Sequence, residues 1–163
     1  QRGAQWIRMK KEVFVIDFWN DAPYVGGCIA GGRQYFHVNA NGDVEPCIFA
    51  HFATDNIKHV PLAQALNSPL FQAIRSRQPY SDNLLRPCMI IDNTDVLRDV
   101  VASHGAYATH PQARRLLGEF APMLDDYAES YRRIADIAWE DIGRGSQAPS
   151  CVAEKTCAPN ARQ

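Results

Sequence analysis

Three things are scarce in this sequence: long apolar runs, net charge, and paired metal-ligand motifs. No stretch approaches the roughly 20 apolar residues that cross a bilayer, and Gln1-Arg2-Gly3 does not open a secretory leader. A cytoplasmic chain with no membrane partner is expected. The 17 basic and 18 acidic residues leave a formal charge of -1, so no global field draws in nucleic acid. There is no Cys-x-x-Cys pair, no His-x-x-x-His pair and no GxGxxG spacing, which removes the common zinc and phosphate-loop fingerprints. What is present is a globular composition, 46% hydrophobic and 21% charged in 163 residues, with room for one core or for pieces of two domains. The first residue is not Met and the stretch it opens is helical in pattern, so part of a longer protein is expected. Five cysteines, an odd number without a leader, argue against a closed disulfide framework and for thiol or metal chemistry.

Residues 4–11 carry Trp6, Ile7 and Met9 among basic residues and predict a helix. Val13-Phe14-Val15-Ile16 is apolar on both faces and rich in β-branched residues, which predicts a buried parallel strand. Asp17, Asn20 and Asp21 follow its carboxyl end, where barrels and open parallel sheets bind ligands, and are candidate site residues for that reason. Asn20 and Asp21, with Pro23, suit a plain turn equally well. The glycine pairs of Gly26-Gly27-Cys28-Ile29-Ala30-Gly31-Gly32 would let the backbone wrap closely round something bound at Cys28. Residues 34–39 alternate as a strand, Asn41-Gly42 suits a tight turn with positive φ at both positions, and the return strand Val44-Glu45 stops at Pro46, which has no ladder donor. That hairpin carries Cys47 back toward the end from which Cys28 enters.

Leu62, Ala65 and Leu66 predict a short helix over residues 61–67. Ser68 then caps a second helix with Pro69 in its first position, Leu70, Phe71 and Ile74 on its apolar face, Arg75 and Arg77 on its polar face, and Pro79 beyond its end. Asn93 is placed to cap a helix over residues 94–103, and Gly105 to stop it. After Pro111, Leu116, Phe120, Leu124, Tyr127, Tyr131, Ile134 and Ala138 recur at spacings of three and four. They predict one amphipathic helix, or a pair broken at Pro122, packed on the domain. From Gly143 onward small and polar residues predict a disordered tail, in which Cys151 and Cys157 are incidental thiols.

Cys28, Cys47 and Cys88 have different settings. Each lies in a loop or at a strand end beside Gly or Pro, and none lies on the apolar face of a helix. Thiolates are ligands for both tetrahedral zinc and iron-sulfur clusters. A structural zinc site needs a fourth ligand, which His51 or His37 would have to supply.

Cys28, thirteen residues, Gly42, four residues and Cys47, followed at a distance by Cys88, resembles the cluster motif of the SPASM domain and its shorter Twitch variant. These domains follow the barrel in radical S-adenosylmethionine enzymes. The run Asn41-Gly42-Asp43-Val44-Glu45-Pro46-Cys47, the helical stretch from Leu62 to Ile74 with Arg75, and the later cysteine agree with the pattern in order and kind. The resemblance implies an α+β chain: the last βα element of a partial α/β barrel over residues 1–25, a cluster domain of a small β-hairpin plus helices over 26–92, and a helical extension over 93–143, before the tail at 144–163. It implies a [4Fe-4S] auxiliary cluster on Cys28, Cys47 and Cys88, with S-adenosylmethionine and a second [4Fe-4S] cluster in the full-length enzyme. The expected partners are the N-terminal barrel of that enzyme, a small-molecule or peptide substrate and an electron donor. Asp17, Asn20, Asp21 and Arg33 are then candidates for lining the substrate space.

Two departures qualify the resemblance. Four cysteines close such a cluster in Twitch domains, whereas here the fourth position falls to Asp92, to His51, to a substrate atom or to none. The Cys-x-x-x-Cys-x-x-Cys motif that binds the S-adenosylmethionine-cleaving cluster is absent from these residues, so the chain alone is not expected to start radical chemistry. The competing expectation is a zinc-stabilised binding module held by Cys28, Cys47, Cys88 and His51.

Overall fold

The computed structural model of the chain describes residues 2–13 and 15–145. Helix α1 (Arg2–Lys10) forms where its pattern predicts. The strand expected after it does not. The described residues there make no ladder, and Val13 and Ile16 are about half exposed. A buried parallel strand needs neighbours on both edges, and none of the described strands lies beside it. The segment is held instead by Arg8, whose Nε (3.0 Å) and Nη2 (2.7 Å) donate to the Val15 carbonyl. No barrel strand occurs among the described residues. A one-turn helix α2 (Ala22–Val25) follows and ends at Gly26, in the left-handed conformation.

The predicted hairpin is present. Strands β1 (His37–Val38) and β2 (Val44–Glu45) pair antiparallel, with His37 opposite Glu45 and Val38 opposite Val44. Its turn differs from the expected one, because only Gly42 has positive φ (91°). The Gly42 N–H donates to the Asn39 carbonyl (2.9 Å) and the Asn39 N–H to the Asp43 carbonyl (3.1 Å), which makes a three-residue loop with glycine at the left-handed position. Asn39 selects this form, since its Oδ1 accepts the N–H groups of both Asn41 (2.9 Å) and Asp43 (3.1 Å). A second pair, β3 (Phe52–Ala53) and β4 (Tyr107–Ala108), sets Phe52 opposite Ala108 and was not foreseen. Two-residue strands carry no period to read.

Helices α3 (Leu62–Leu66) and α4 (Pro69–Ser76) lie within the predicted spans, and Ser68 Oγ accepts the Phe71 N–H at 3.4 Å as the expected cap. Helix α4 buries Leu70, Phe71 and Ile74, each of which stabilises the fold by about 1.5–3 kcal/mol relative to exposure. Leu70 and Ile74 enter the main core with Cys47, Phe52, Met89 and Val100, while Phe71 joins Val44 and Ala65 in a smaller one. Helix α5 (Thr94–Ser103) spans the predicted residues, but Asn93 does not cap it. The Asn93 amide donates to the carbonyls of Arg86 (2.9 Å) and Cys88 (3.2 Å) instead.

The C-terminal stripe divides before Ala121, giving a 3-10 turn (Ala113–Leu117) and a long helix α6 (Ala121–Gly145), with Pro122 in the first turn of α6 and not at the break. Its inward face is rotated from the expected one. Tyr127 and Ile134 are exposed, whereas Ala135 is buried and Leu124, Ala128 and Tyr131 are half-buried. Polar contacts fix that rotation: Tyr131 donates to the Leu85 carbonyl (3.2 Å), Asp136 accepts from Asn83 (2.8 Å), and Asp125 accepts from Thr94 and from Arg98 (2.9 Å). Small alanines on the inward face allow the close approach. Arg144 and Gly145, expected in the tail, belong to the helix. The rest of the predicted tail, with Cys151 and Cys157, and Phe14 of the expected strand lie outside the described residues.

Behind the hairpin, Asp43 is buried and accepts hydrogen bonds from Tyr107 Oη (2.7 Å), Asn56 (2.8 Å) and Asn39 (3.1 Å). Desolvation raises its pKa, but these three donors together outweigh it and hold the carboxyl below its ordinary value. The carboxylate therefore stabilises the fold fully above about pH 4, and that contribution drains as pH falls through the lower folded value. Asp43→Asn is expected to flatten the acid limb of a stability-against-pH profile and to cost about 1–3 kcal/mol at neutral pH, read from urea midpoints. A parallel acid limb in the variant would assign the pH dependence elsewhere.

Candidate metal centre

The three cysteines reach one neighbourhood from three separate loops. Cys28 packs against the main core, in which Cys47 is buried, and Met89, beside Cys88, belongs to that core. They are near enough to interact once ionised: Cys47 with Cys28, Cys28 with Cys88, and Asp92 with both Cys28 and Cys88.

The Cys28 loop is fastened to α4. Gly31, at φ 70°, donates its N–H to the Pro46 carbonyl (2.9 Å), which ties the loop to the residue before Cys47. Arg75 Nη1 donates to the carbonyls of Gly31 (3.2 Å) and Leu66 (2.7 Å), and Gln78 Nε2 to that of Ala30 (3.1 Å). The glycines were expected to make room for a bound group. At Gly31 the room is taken by α4, since a Cβ there would lie 2.3 Å from Ile74 Cγ2. Arg75, expected on the polar face of its helix, turns inward, and residues 71, 74, 75 and 78 form one face at helical spacing. That spacing was available in the sequence.

Cys88 is held from the other side. Its N–H donates to Asp92 Oδ2 (2.9 Å), and its carbonyl accepts from the backbone N–H groups of Asp92 (3.1 Å) and Asn93 (3.0 Å). The contacts from α6 to Asn83 and Leu85 brace the chain just before it. Around the residues that follow Cys47 gathers a set of aromatic rings that sequence reasoning missed. Phe18 meets Tyr35 (5.4 Å between centroids) and Phe49 (6.4 Å), Trp19 meets Phe49 (6.0 Å), and Tyr35 Oη accepts the Ile48 N–H (3.3 Å).

Burial raises the pKa of all three thiols, that of Cys88 to about 12. Without a cation they are neutral at pH 7. Against burial, a backbone N–H from the residue two positions on is directed at each sulfur: Ala30 on Cys28 (3.4 Å), Ile90 on Cys88 (3.4 Å) and Phe49 on Cys47. Such donors matter little to a thiol and much to a thiolate. Asp92 is buried and its carboxyl is raised by desolvation to about 6, against a lowering hydrogen bond from Cys88. Tyr80 stands beside Cys28 and Cys88, accepting from Gln78 (3.0 Å) and donating to Met89 Sδ (3.7 Å).

The other predicted residues fall elsewhere. Arg33 binds backbone, donating to the carbonyls of Cys28 (2.8 Å), Val25 (2.8 Å) and Gly27 (3.3 Å), and so stiffens the Cys28 loop. Asp21 pairs with Arg8 (2.5 Å), and that hydrogen bond holds its carboxyl below the usual range. Asp17 is lowered by Asn20, whose Nδ2 donates to it at 2.7 Å. Asp17 and Asp21 line a mainly apolar cleft of about 360 Å³ with Phe18 and Ile29; Asn20 and Arg33 are not in its walls. His51 is turned to Glu45 (3.5 Å) and His110 (5.5 Å between rings).

Among the described residues no three His, Cys, Asp or Glu side chains gather as the ligands of a single metal ion would. A polynuclear cluster spaces its thiolates more widely, because each binds a different iron. Residues 28–89, bounded by Cys28 and Met89 and containing all three cysteines, match the family model of SPASM, an iron-sulfur cluster-binding domain. Neither curated proteins nor solved structures gave a match to the chain. No described helix is long and apolar enough to cross a membrane.

The position of Cys28 depends on the Gly31 contact. Gly31→Ala adds a methyl group against Ile74 at a φ that alanine resists, and is expected to destabilise the chain by about 2–4 kcal/mol. In combination with Ile74→Ala the two losses should sum to less than their separate values, as read from denaturant midpoints; full additivity would show that the contact does not set the loop.

Proposed function

We propose that the chain is the auxiliary-cluster portion of a radical S-adenosylmethionine enzyme and binds a [4Fe-4S] cluster through Cys28, Cys47 and Cys88. One observation carries the reading: each of the three thiols has a backbone N–H from the second following residue directed at its sulfur. The SPASM match over the same residues supports it. When bound, such a cluster supplies one-electron chemistry or a Lewis-acidic iron, so the portion would help to hold or to oxidise a substrate. The residues of the chain prepare for this. Amide donors lower the cost of three thiolates in a half-buried place, and Arg33 adds a positive charge that favours ionisation of Cys28.

The sequence has no Cys-x-x-x-Cys-x-x-Cys motif. In this reading S-adenosylmethionine, the cluster that cleaves it and the barrel that holds both are supplied by the rest of the enzyme, and a small-molecule or peptide substrate meets this portion at the cleft bordered by Asp17 and Asp21. An electron donor completes the set of partners. Such clusters are oxygen-labile, which is why the cytoplasm is the compartment proposed.

Anaerobic reconstitution of the 163-residue chain with iron and sulfide tests the reading. The expected product is brown and carries about four irons and four sulfides per chain. Cys28→Ala, Cys47→Ala and Cys88→Ala should each lose most of that iron, while Cys151→Ala and Cys157→Ala keep it. A colourless chain with one tightly bound zinc would overturn the proposal in favour of a structural module.

A further inference from the structure

Helix α6 turns one face to the domain and carries a second apolar face that the described residues leave uncovered. Met123, Tyr127, Ile134 and Ile137 are 60%, 50%, 67% and 66% exposed. Their spacing is ordered. Phe120, just before the helix, then Met123, Tyr127, Ser130, Ile134 and Ile137 follow one another at alternating steps of three and four, a 3.5-residue period that keeps them on one narrow stripe. Such a period is the seam along which one helix packs on another, whereas a helix lying on a globular core presents a broader face. Tyr127 is already held in place, stacked on Tyr131 with 6.1 Å between ring centroids.

The stripe is complementary to itself when two copies run antiparallel. One register satisfies the whole seam: Phe120 faces Ile137 of the second copy, Met123 faces its Ile134 and Tyr127 faces its Ser130, each contact occurring twice about a two-fold axis. The large ring thus meets the small residue that interrupts the apolar pattern. In the same register the charges beside the seam match. Asp126 falls beside Arg133 of the second copy, and the Arg133 side chain is 74% exposed and held by Glu129 at 3.3 Å, an exposed pair that contributes little and yields easily. Glu119 and Glu140 also meet, but Glu119 is already neutralised by Arg115 at 2.6 Å. We infer that the exposed face of α6 is a homodimer interface in which two copies of the chain pair antiparallel through residues 120–137. The paired faces are short, near the lower limit of about 1,200 Å² for stable interfaces, so the dimer exchanges with single chains in the micromolar range.

Sedimentation velocity of the full 163-residue chain, kept reduced so that no disulfide joins two copies, tests this between about 1 and 200 µM. The parent should pass from the mass of one chain to that of two. Ile134→Asp places a charge in the seam without touching the inward face, and should stay a single chain at every concentration with unchanged circular dichroism. Two charge variants then test the register. Asp126→Arg and Arg133→Asp each bring like charges together across the axis, so each alone should associate at least about tenfold more weakly than the parent. Mixed in equal amounts they should pair with one another at close to the parental strength, because both ends of the mixed dimer then join opposite charges. A parent that remains a single chain throughout, as it would if a different protein segment covers this face, overturns the proposal. A dimer that survives Ile134→Asp also overturns it, by placing the contact elsewhere, and a mixture no stronger than its components overturns the antiparallel pairing. Association is read without iron or sulfide, so its failure is distinct from a failure of the cluster reading.

Discussion

The contact between the Cys28 loop and helix α4 is the constraint on which the thiol neighbourhood depends. At Gly31 the backbone comes so near Ile74 that no side chain fits between them. The same loop gives its carbonyls to Arg75 and Gln78 and its N–H to Pro46. One helix thus positions Cys28 directly and Cys47 at one remove, through the Pro46 carbonyl. The apolar face of α4 makes that helix immovable, since Leu70 and Ile74 are part of the main core and Phe71 of the smaller one. Site and core are accordingly not separable layers: the packing that stabilises the fold is the packing that sets two of the three thiols.

Electrostatically the arrangement is unfavourable until a cation enters. Burial pushes the three thiols up, and the Asp92 carboxyl is raised as well, so desolvation outweighs the groups that favour the anions. The backbone donors directed at the sulfurs act the other way and gain strength only when the sulfurs ionise. Thiols that desolvation keeps neutral while dipoles are already aimed at their charged forms are what the proposed cluster would need. Binding there would release protons from the thiols and, by joining three loops, would add its free energy to folding.

The amount legible in the sequence followed the range of each interaction. Helix α4, its Ser68 cap, the hairpin and the extent of α5 come from residues a few positions apart, and local patterns capture them. The three cysteines were singled out by the Gly and Pro beside each one, which are also local features. The failures are all of longer range. The strand expected over residues 13–16 has no neighbour to pair with, and apolar, β-branched composition cannot supply one. The face of α6 was misplaced because Asn83, Leu85 and Thr94, far away in sequence, decide its rotation. Asn93 was assigned to its own helix when its amide in fact serves the Cys88 loop, and the inward turn of Arg75 toward Gly31 spans more than forty positions. Asp17, Asn20 and Asp21 form a linked turn with Arg8, and all of these but Asn20 border the cleft.

The role of α6 follows from where its polar groups fall. Its inward side chains pack in alanine-sized steps, which contribute modest apolar area, so the helix is located chiefly by Tyr131, Asp136 and Asp125. Two of these three hold residues 83–86 and the third holds the first turn of α5, and the chain between those two points contains Cys88 and Asp92. The segment 87–93 has no strand or helix of its own to stiffen it. It is fixed by its two ends and by the Asn93 amide across its base. A helix remote in sequence from the cysteines therefore sets the third thiol as α4 sets the first two, and the three cysteines lie where the two scaffolds meet.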